Sequence, residues 1–427
     1  TGWFGAFLSV LCLSPLTLLG VAIAAIGLIS AQAPWAHVRI DTGEERWPRR
    51  INLSVPLPLR HRLATDGNAV YDLPLVPDEA ALPVDPQADV PAGFPADQRD
   101  QPGGFSGDPD IMDTWATSSL TPHLATGWER DEELFALTFP MDVAPQAHDI
   151  IRTWLFSRVV RAHFENGSLP WKRATISGFV VDPDRKKMSK SKGNVVDPLV
   201  VIEQHGADAL RFALLTGSTP GNDMKLQPSK VEGARNFANK LWNAARFVLA
   251  NLPESYAPAE IEHQRQVWEA QPESLSLADR WVLSRHNRLI GEVTRLIEQF
   301  QFGEAGRQLY DFLWGEYCDW YIEIAKSQLN SGDEAAAART RAILLYVLDR
   351  TLRLLHPFMP FVTEEIWQHL PHEGDALIIA AWPLAGALDD EAEAQMGPIM
   401  EMVRAIRNAR AEYEVEPSRT IAAIVVA

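Results

Sequence analysis

The chain has 427 residues, of which 46% are hydrophobic and 22% are charged. This composition excludes a disordered or fibrous protein and predicts two or three packed domains. A formal net charge of -17 and a pI near 5.1 exclude a uniformly basic surface that would coat nucleic acid. The two cysteines, Cys12 and Cys318, cannot supply a disulfide framework or a four-thiolate zinc site. We therefore expect a reducing, cytoplasmic compartment and no structural metal.

The amino-terminal segment 1–36 contains no charged side chain, and its stretch 18–29 is almost entirely apolar. Such a segment is long enough to cross a bilayer. A secretory signal is less favoured, because no basic residue precedes the apolar run. Three interpretations stay open: a membrane segment, a buried core segment, or a sequence foreign to the rest of the chain through a fusion or reading-frame error.

The next two regions differ in their secondary-structure signals. Prolines recur throughout 37–109, which predicts an extended, loop-dominated connector. The region 110–220 alternates a predicted helix, strand and helix, which cover 148–163, 174–181 and 197–215. Alternation of this kind predicts a parallel α/β sheet of which only the last part is present.

After residue 221 the pattern becomes purely helical. Ser276 and Asp279 have the spacing of a capping box, and Leu289, Val293 and Leu296 continue as one apolar stripe. Further helices are predicted over 302–330, 334–356 and 360–370, so we expect a helical bundle. The last residues, 421–427, predict a strand, and we expect the chain to stop inside a domain.

The most informative stretch is Lys187-Met188-Ser189-Lys190-Ser191, which continues as Lys192-Gly193-Asn194; we call residues 187–194 the lysine loop. Ammonium groups neutralise charge on a polyphosphate, while hydroxyl and backbone N–H groups bind its remaining oxygens. For an arbitrary cluster of lysine and serine, an exposed solvated loop is the more common explanation. A second reason is therefore needed to prefer phosphate chemistry.

That reason is a resemblance to the class I aminoacyl-tRNA synthetases, whose Lys-Met-Ser-Lys-Ser signature the loop matches without a change. The resemblance implies ATP, with Mg²⁺, as a substrate. It implies catalytic roles for Lys187 and Lys190, and it assigns further ATP contacts to Asp149 (adenosine ribose), Gly178 (adenine), Met188, Ser189, Lys190 and Ser191. The implied fold is the second half of a Rossmann-like nucleotide-binding domain followed by an all-α anticodon-binding bundle.

Two other stretches resemble the valyl branch of this family. They are Asp113-Thr114-Trp115 and the helix 235–243. The resemblance implies a monomeric ligase whose partners are valine, ATP and tRNA(Val). It divides the chain into a catalytic part (110–220), a stem-contact region (221–278) and an anticodon-binding domain (279–427). Alternatives are an isoleucyl or leucyl enzyme, and a non-catalytic, membrane-tethered RNA-binding module.

Departures from the family pattern set further expectations. The His-Ile-Gly-His motif does not occur, and neither the amino-terminal catalytic half nor the editing insertion is recognisable. We therefore expect this chain alone to be inactive. Ala147 stands where the family commonly has glycine, and Ser177 stands where it commonly has histidine. No tRNA-binding residue is assigned; the basic residues of one helix face could meet phosphates or solvent: Lys230, Arg235, Lys240 and Arg246.

Overall fold

The computed structural model describes residues 60–81, 84–108, 114–189, 192–216, 219–416 and 419–422. The chain divides into two compact units, Thr1–Thr175 and Ile176–Ala427. The apolar segment 1–36 lies outside the described residues, as does most of the predicted strand 421–427. The predicted domain boundaries stay predictions. Within the described ranges, no helix combines the length and the apolar character that crossing a bilayer requires.

The first unit carries a three-stranded sheet where the prolines predict a loop-dominated connector. Its antiparallel strands β1 (Arg60–Leu63), β2 (Ala69–Leu75) and β3 (Phe105–Gly107) lie in the order β2-β1-β3. Pro74 belongs to the edge strand β2, opposite His61, and the register shifts directly after that pair. Proline is tolerated at an edge or irregularity because its missing N–H interrupts no ladder there.

Short helices and a two-stranded sheet form the rest of the first unit. Strand β4 (Met141–Ala147) pairs with β5 (Trp171–Ser177). Between these strands the helix predicted over 148–163 is confirmed, although it opens with a 3-10 turn and a π turn before regular α-helix begins. The helices are α1 (Thr114–Ser118), α2 (Thr121–Ala125), α3 (Glu132–Thr138) and α4 (Phe156–Asn166).

Two glycines divide elements that the sequence predicts as continuous. The strand predicted over 174–181 breaks at Gly178, after which β6 (Val180–Val181) pairs in parallel with β7 (Met224–Lys225). The helix predicted over 197–215 is two helices, α5 (Pro198–His205) and α6 (Ala207–Leu215). Gly206 separates them at φ +89°, a conformation that glycine adopts at little cost.

The remainder of the second unit is helical, as predicted, and its capping box is present. Ser276 Oγ accepts from the Asp279 N–H at 3.2 Å, and Asp279 Oδ2 accepts from the Ser276 N–H at 3.1 Å. A π segment, Phe312–Tyr321, joins two of the helices without a break. The helices are α7 (Pro228–Ala250), α8 (Pro258–Ala270), α9 (Leu277–Glu298), α10 (Phe302–Asp311), α11 (Ile322–Leu329), α12 (Glu334–Leu355), α13 (Pro360–His369) and α14 (Asp390–Glu412).

Helix α6 belongs to the same core as the bundle. The carboxylate of Asp208 accepts from the N–H groups of Phe361 (3.3 Å) and Val362 (2.6 Å), so it caps α13. The ring of Phe212 stacks on Phe237 of α7 at 4.9 Å and lies edge-on to Phe358 at 6.5 Å. The α/β segment of the second unit and its helices are therefore packed as one body.

Candidate active site

The lysine loop begins at a tight turn that follows β6. Asp182 is buried, with 7% of its surface exposed, and its Oδ1 accepts from the N–H groups of Asp184 (3.0 Å) and Lys186 (2.7 Å). The Asp182 N–H donates to the Lys186 carbonyl at 3.0 Å. Lys187 then forms an antiparallel bridge with Val181. The turn thus directs the start of the lysine loop back along β6.

Within this turn Arg185 has φ +63°, in the left-handed region. A residue with a Cβ atom is about 1–2 kcal/mol less stable there than in the right-handed region. The Arg185 N–H donates to the Asp182 carbonyl at 2.9 Å. The hydrogen bonds at Asp182 therefore hold a conformation that Arg185 alone would not favour.

The side chain of Asn194 closes the other end of the lysine loop. Its Nδ2 donates to Asp182 Oδ2 at 2.8 Å, and its Oδ1 accepts from the Ser189 N–H at 3.0 Å. Lys192 N–H donates to the Ser189 carbonyl at 3.1 Å. The backbone just before the loop and the side chain at its end therefore both donate hydrogen bonds to the carboxylate of Asp182.

The structure places three of the five signature residues. Lys187 is exposed, and its Nζ lies 3.9 Å from the centre of the Phe179 ring, a distance at which the ring face attracts a cation. Met188 packs against the core of the second unit, and Ser189 contributes the backbone bond to Asn194. Lys190 and Ser191 lie outside the described residues.

Gly178 occupies a position with no space for a side chain. A Cβ atom there would lie 2.2 Å from the Asn222 carbonyl oxygen and 2.5 Å from the Asp223 nitrogen. Asp223 Oδ1 accepts from the Phe179 N–H at 2.8 Å, and Met224 N–H donates to the Phe179 carbonyl at 2.7 Å. The close approach of these two backbones explains glycine here without a ligand, and the adenine contact stays a prediction.

Replacing Gly178 by Ala is expected to lower the free energy of unfolding by about 2 kcal/mol, because the new methyl group meets rigid backbone. Urea denaturation of the full chain measures the effect. The matched control is Gly233→Ala in α7, where a Cβ atom would meet nothing within 4 Å and alanine favours the helix. An unchanged midpoint for Gly178→Ala would contradict the close approach.

Asp149 lies in the first unit, in the exposed 3-10 turn His148–Ile150 that follows β4. The π turn after it contains Trp154, whose ring lies 3.6 Å from the guanidinium of Arg158. Burial lowers the pKa of Arg158 to about 10, and the group donates to Gln146 of β4. These contacts fix the backbone around Asp149; its ribose contact stays a prediction.

The basic residues of α7 are not equivalent. Lys240 pairs with Asp319 at 3.0 Å and lies 5.1 Å from the Trp314 ring centre, while Arg235 lies 3.7 Å from Glu232. Arg246 is exposed, and Lys230 is half-buried. These ion pairs neutralise part of the charge, so an ordinary solvated face and a phosphate-binding face both stay compatible with the helix.

Sequence reasoning gave no role to Asp182 and Asn194. A carboxylate directly after a strand and before a proline indicates a turn, and Asn194 belongs to the string that follows the signature. Neither pattern indicates that the two side chains meet, because twelve positions separate them. Their hydrogen bond becomes visible only in the folded chain.

Two family models match the chain. A model described as "tRNA synthetases class I (I, L, M and V)" matches residues 84–227, and one described as "Anticodon-binding domain of tRNA ligase" matches residues 279–426. A LeuRS-tRNA-LeuAMS complex from Agrobacterium radiobacter K84 is similar in structure, with a TM-score of 0.56 and 22% identity over 79% of this chain and 41% of that chain. The predicted fold class is thereby confirmed.

Curated relatives named valine–tRNA ligase match most of the chain. The Cutibacterium acnes protein is 45% identical over 90% of this chain and 44% of its own length. The Geobacillus stearothermophilus protein is 46% identical over 74% of this chain and 35% of its own length. The Dehalococcoides mccartyi protein is 48% identical over 75% of this chain and 36% of its own length. The chain thus spans less than half the length of these relatives.

Proposed function

Since this chain belongs to the class I aminoacyl-tRNA synthetases, we propose that it supplies the lysine loop and the tRNA-binding helices of an ATP-dependent valine–tRNA ligase. The observation that carries the choice of valine is the 45–48% identity to three relatives of that name over most of the chain. The proposal includes a monomeric cytoplasmic protein whose partners are valine, ATP and tRNA(Val).

In the proposed reaction a carboxylate oxygen of valine attacks the α-phosphorus of ATP, and the bond to pyrophosphate breaks. A hydroxyl of the 3′-terminal ribose of tRNA then attacks the valyl carbonyl, and AMP leaves. Lys187 and Lys190 would stabilise negative charge on the phosphates, while Asp149 and Gly178 would hold adenosine. Fixed cations lower the barrier because the charge on the phosphates changes as the bond to pyrophosphate breaks.

ATP is accompanied by a magnesium ion in this family. No group of three or more His, Cys, Asp or Glu side chains in the described part of the chain is arranged to hold a metal ion. Magnesium that accompanies a nucleotide is held mostly by the phosphates, with one or two carboxylates, and we assign no step to the ion.

A chimeric enzyme tests the catalytic proposal. Residues 110–427 would replace the matching segment of the Cutibacterium acnes relative, and ATP–pyrophosphate exchange would be measured with valine, isoleucine and leucine. Exchange that depends on valine is the expected result. A folded chimera that prefers isoleucine or leucine, or exchanges with none of the three, would refute the proposal.

Binding of tRNA tests the helical part with the full 427-residue chain. We expect tRNA(Val) to bind in a gel shift, more weakly as salt rises because phosphate contacts release counterions. It should bind better than a tRNA with another anticodon, because bases in an exposed loop can be distinguished. The net charge of -17 disfavours nonspecific attraction. Equal binding of the two tRNAs would remove the case for anticodon recognition.

A further inference from the structure

A network of short hydrogen bonds closes the base of the lysine loop, and two side chains form it. Asp182 uses both carboxylate oxygens: Oδ1 accepts from the backbone of the turn, and Oδ2 accepts from Asn194 Nδ2 at 2.8 Å. Asn194 uses both ends of its amide, because Oδ1 also accepts from the Ser189 N–H at 3.0 Å. Asp182 therefore bonds to a residue outside its own turn, and Asn194 bonds both to Asp182 and to the backbone of the lysine loop.

The charge of Asp182 strengthens this network. The hydrogen bonds from Asn194 and from the Lys186 backbone lower the pKa of Asp182 below its usual value. Hydrogen bonds to an ionised acceptor are stronger than those between neutral groups. Two neighbouring ammonium groups have contacts of their own, since Lys187 Nζ lies over the Phe179 ring and Lys186 Nζ lies 3.9 Å from Asp184. Amide N–H donors therefore provide the direct hydrogen bonds to the buried carboxylate.

We propose that Asp182 and Asn194 form a positioning clamp that sets where the lysine loop stands relative to β6. The effect of the clamp on catalysis rests on the proposed function, whereas the hydrogen bonds of the clamp belong to the fold itself. We call the two residues positioning residues, because their side chains bond to the backbone of the turn, to the Ser189 N–H and to each other. The alternative is that Asp182 only caps the turn and that its bond to Asn194 contributes nothing.

A reciprocal exchange separates the clamp from a simple cap. In Asp182→Asn the side-chain oxygen still accepts from the turn, but two amide donors face each other. In Asn194→Asp two carboxylates face each other. The double variant restores complementarity, because the amide at position 182 donates to the carboxylate at 194 and both oxygens keep their backbone donors. A simple cap predicts that Asp182→Asn alone is neutral, because its side-chain oxygen keeps the backbone donors of the turn.

The first measurement is trypsin cleavage of the full chain after Lys187 and Lys192, followed by mass spectrometry. Each single variant should be cleaved about tenfold faster than the parent, the factor that corresponds to one lost hydrogen bond of ordinary strength. The double variant should return to near the parent rate. The matched control is Asp184→Ala, which removes an exposed carboxylate of the same turn and should leave cleavage unchanged.

Single variants that are cleaved at the parent rate, or a double variant that is cleaved as fast as the single variants, would overturn the clamp.

The second measurement is ATP–pyrophosphate exchange in the chimeric enzyme. The single variants should lower kcat with little change in KM for valine, and the double variant should restore kcat. Rescue in proteolysis without rescue in exchange would overturn the positioning role. An inactive parent chimera would refute the proposed function, while proteolysis would still decide on the clamp.

Discussion

Replacing Asp279 by Ala is expected to lower the free energy of unfolding of the second unit by about 3 kcal/mol. The carboxylate takes part in the capping box of α9 and also accepts from the Tyr321 hydroxyl at 2.8 Å. Asp279 is 3% exposed and Tyr321 is fully buried. The substitution removes the reciprocal bond of the capping box, from the Ser276 N–H to the carboxylate, typically ~1 kcal/mol, and leaves a buried hydroxyl donor without this acceptor, which costs about 1–3 kcal/mol.

Urea denaturation followed by far-UV circular dichroism measures this loss. Asp390→Ala is the matched control, because that aspartate also lies in the first turn of a helix but its side chain is 84% exposed. The control should change the free energy of unfolding by less than about 0.5 kcal/mol. A similar loss in both variants would show that the effect is general to acidic helix starts and does not come from the buried network.

Replacing Lys190 by Ala in the chimeric enzyme is expected to slow valine activation by about 10²–10³-fold, the effect of losing one group that stabilises transition-state charge. The reason is the proposed contact of this lysine with the phosphates of ATP. Valine-dependent ATP–pyrophosphate exchange at saturating ATP gives the rate, and the dependence on valine concentration shows whether binding has changed.

The matched control is Lys192→Ala, two positions further along the same loop. It removes the same charge from an exposed position to which no phosphate contact is assigned, so exchange should fall by less than about threefold. A large loss of valine affinity at an unchanged rate constant for Lys190→Ala would contradict its assignment. Equal losses in the two variants would indicate that the loop acts only through its total charge.

Features set by neighbouring residues were predicted well, and those set by distant residues were not. The capping box at Ser276 needs only a spacing of three, and the helices of the bundle follow from apolar periodicity. The aromatic rings of Tyr317 and Tyr321 lie in the core of this bundle, and both are fully buried. Local pattern and final packing agree in these elements.

The missed features depend on the partner that each residue meets in space. The break at Gly206 depends on a backbone conformation with positive φ. The break at Gly178 depends on the close approach of a segment more than 40 positions away. The sheet of the first unit was missed because Pro74 lies at an edge irregularity, where its usual penalty does not apply. The recognition of the lysine loop came from a family signature, since charge and spacing alone favour an exposed solvated loop.

The packing of α6 has a practical consequence for dividing this protein into fragments. A polypeptide that begins after residue 221 would lack Phe212, so the faces of Phe237 and Phe358 that it covers would meet water. It would also lack Asp208, so two N–H groups at the start of α13 would lose their acceptor. Exposed aromatic surface of this kind promotes aggregation. Gene fragments, domain exchanges between synthetases and split-protein reporters should therefore be cut before α6 and not at the apparent end of the α/β segment.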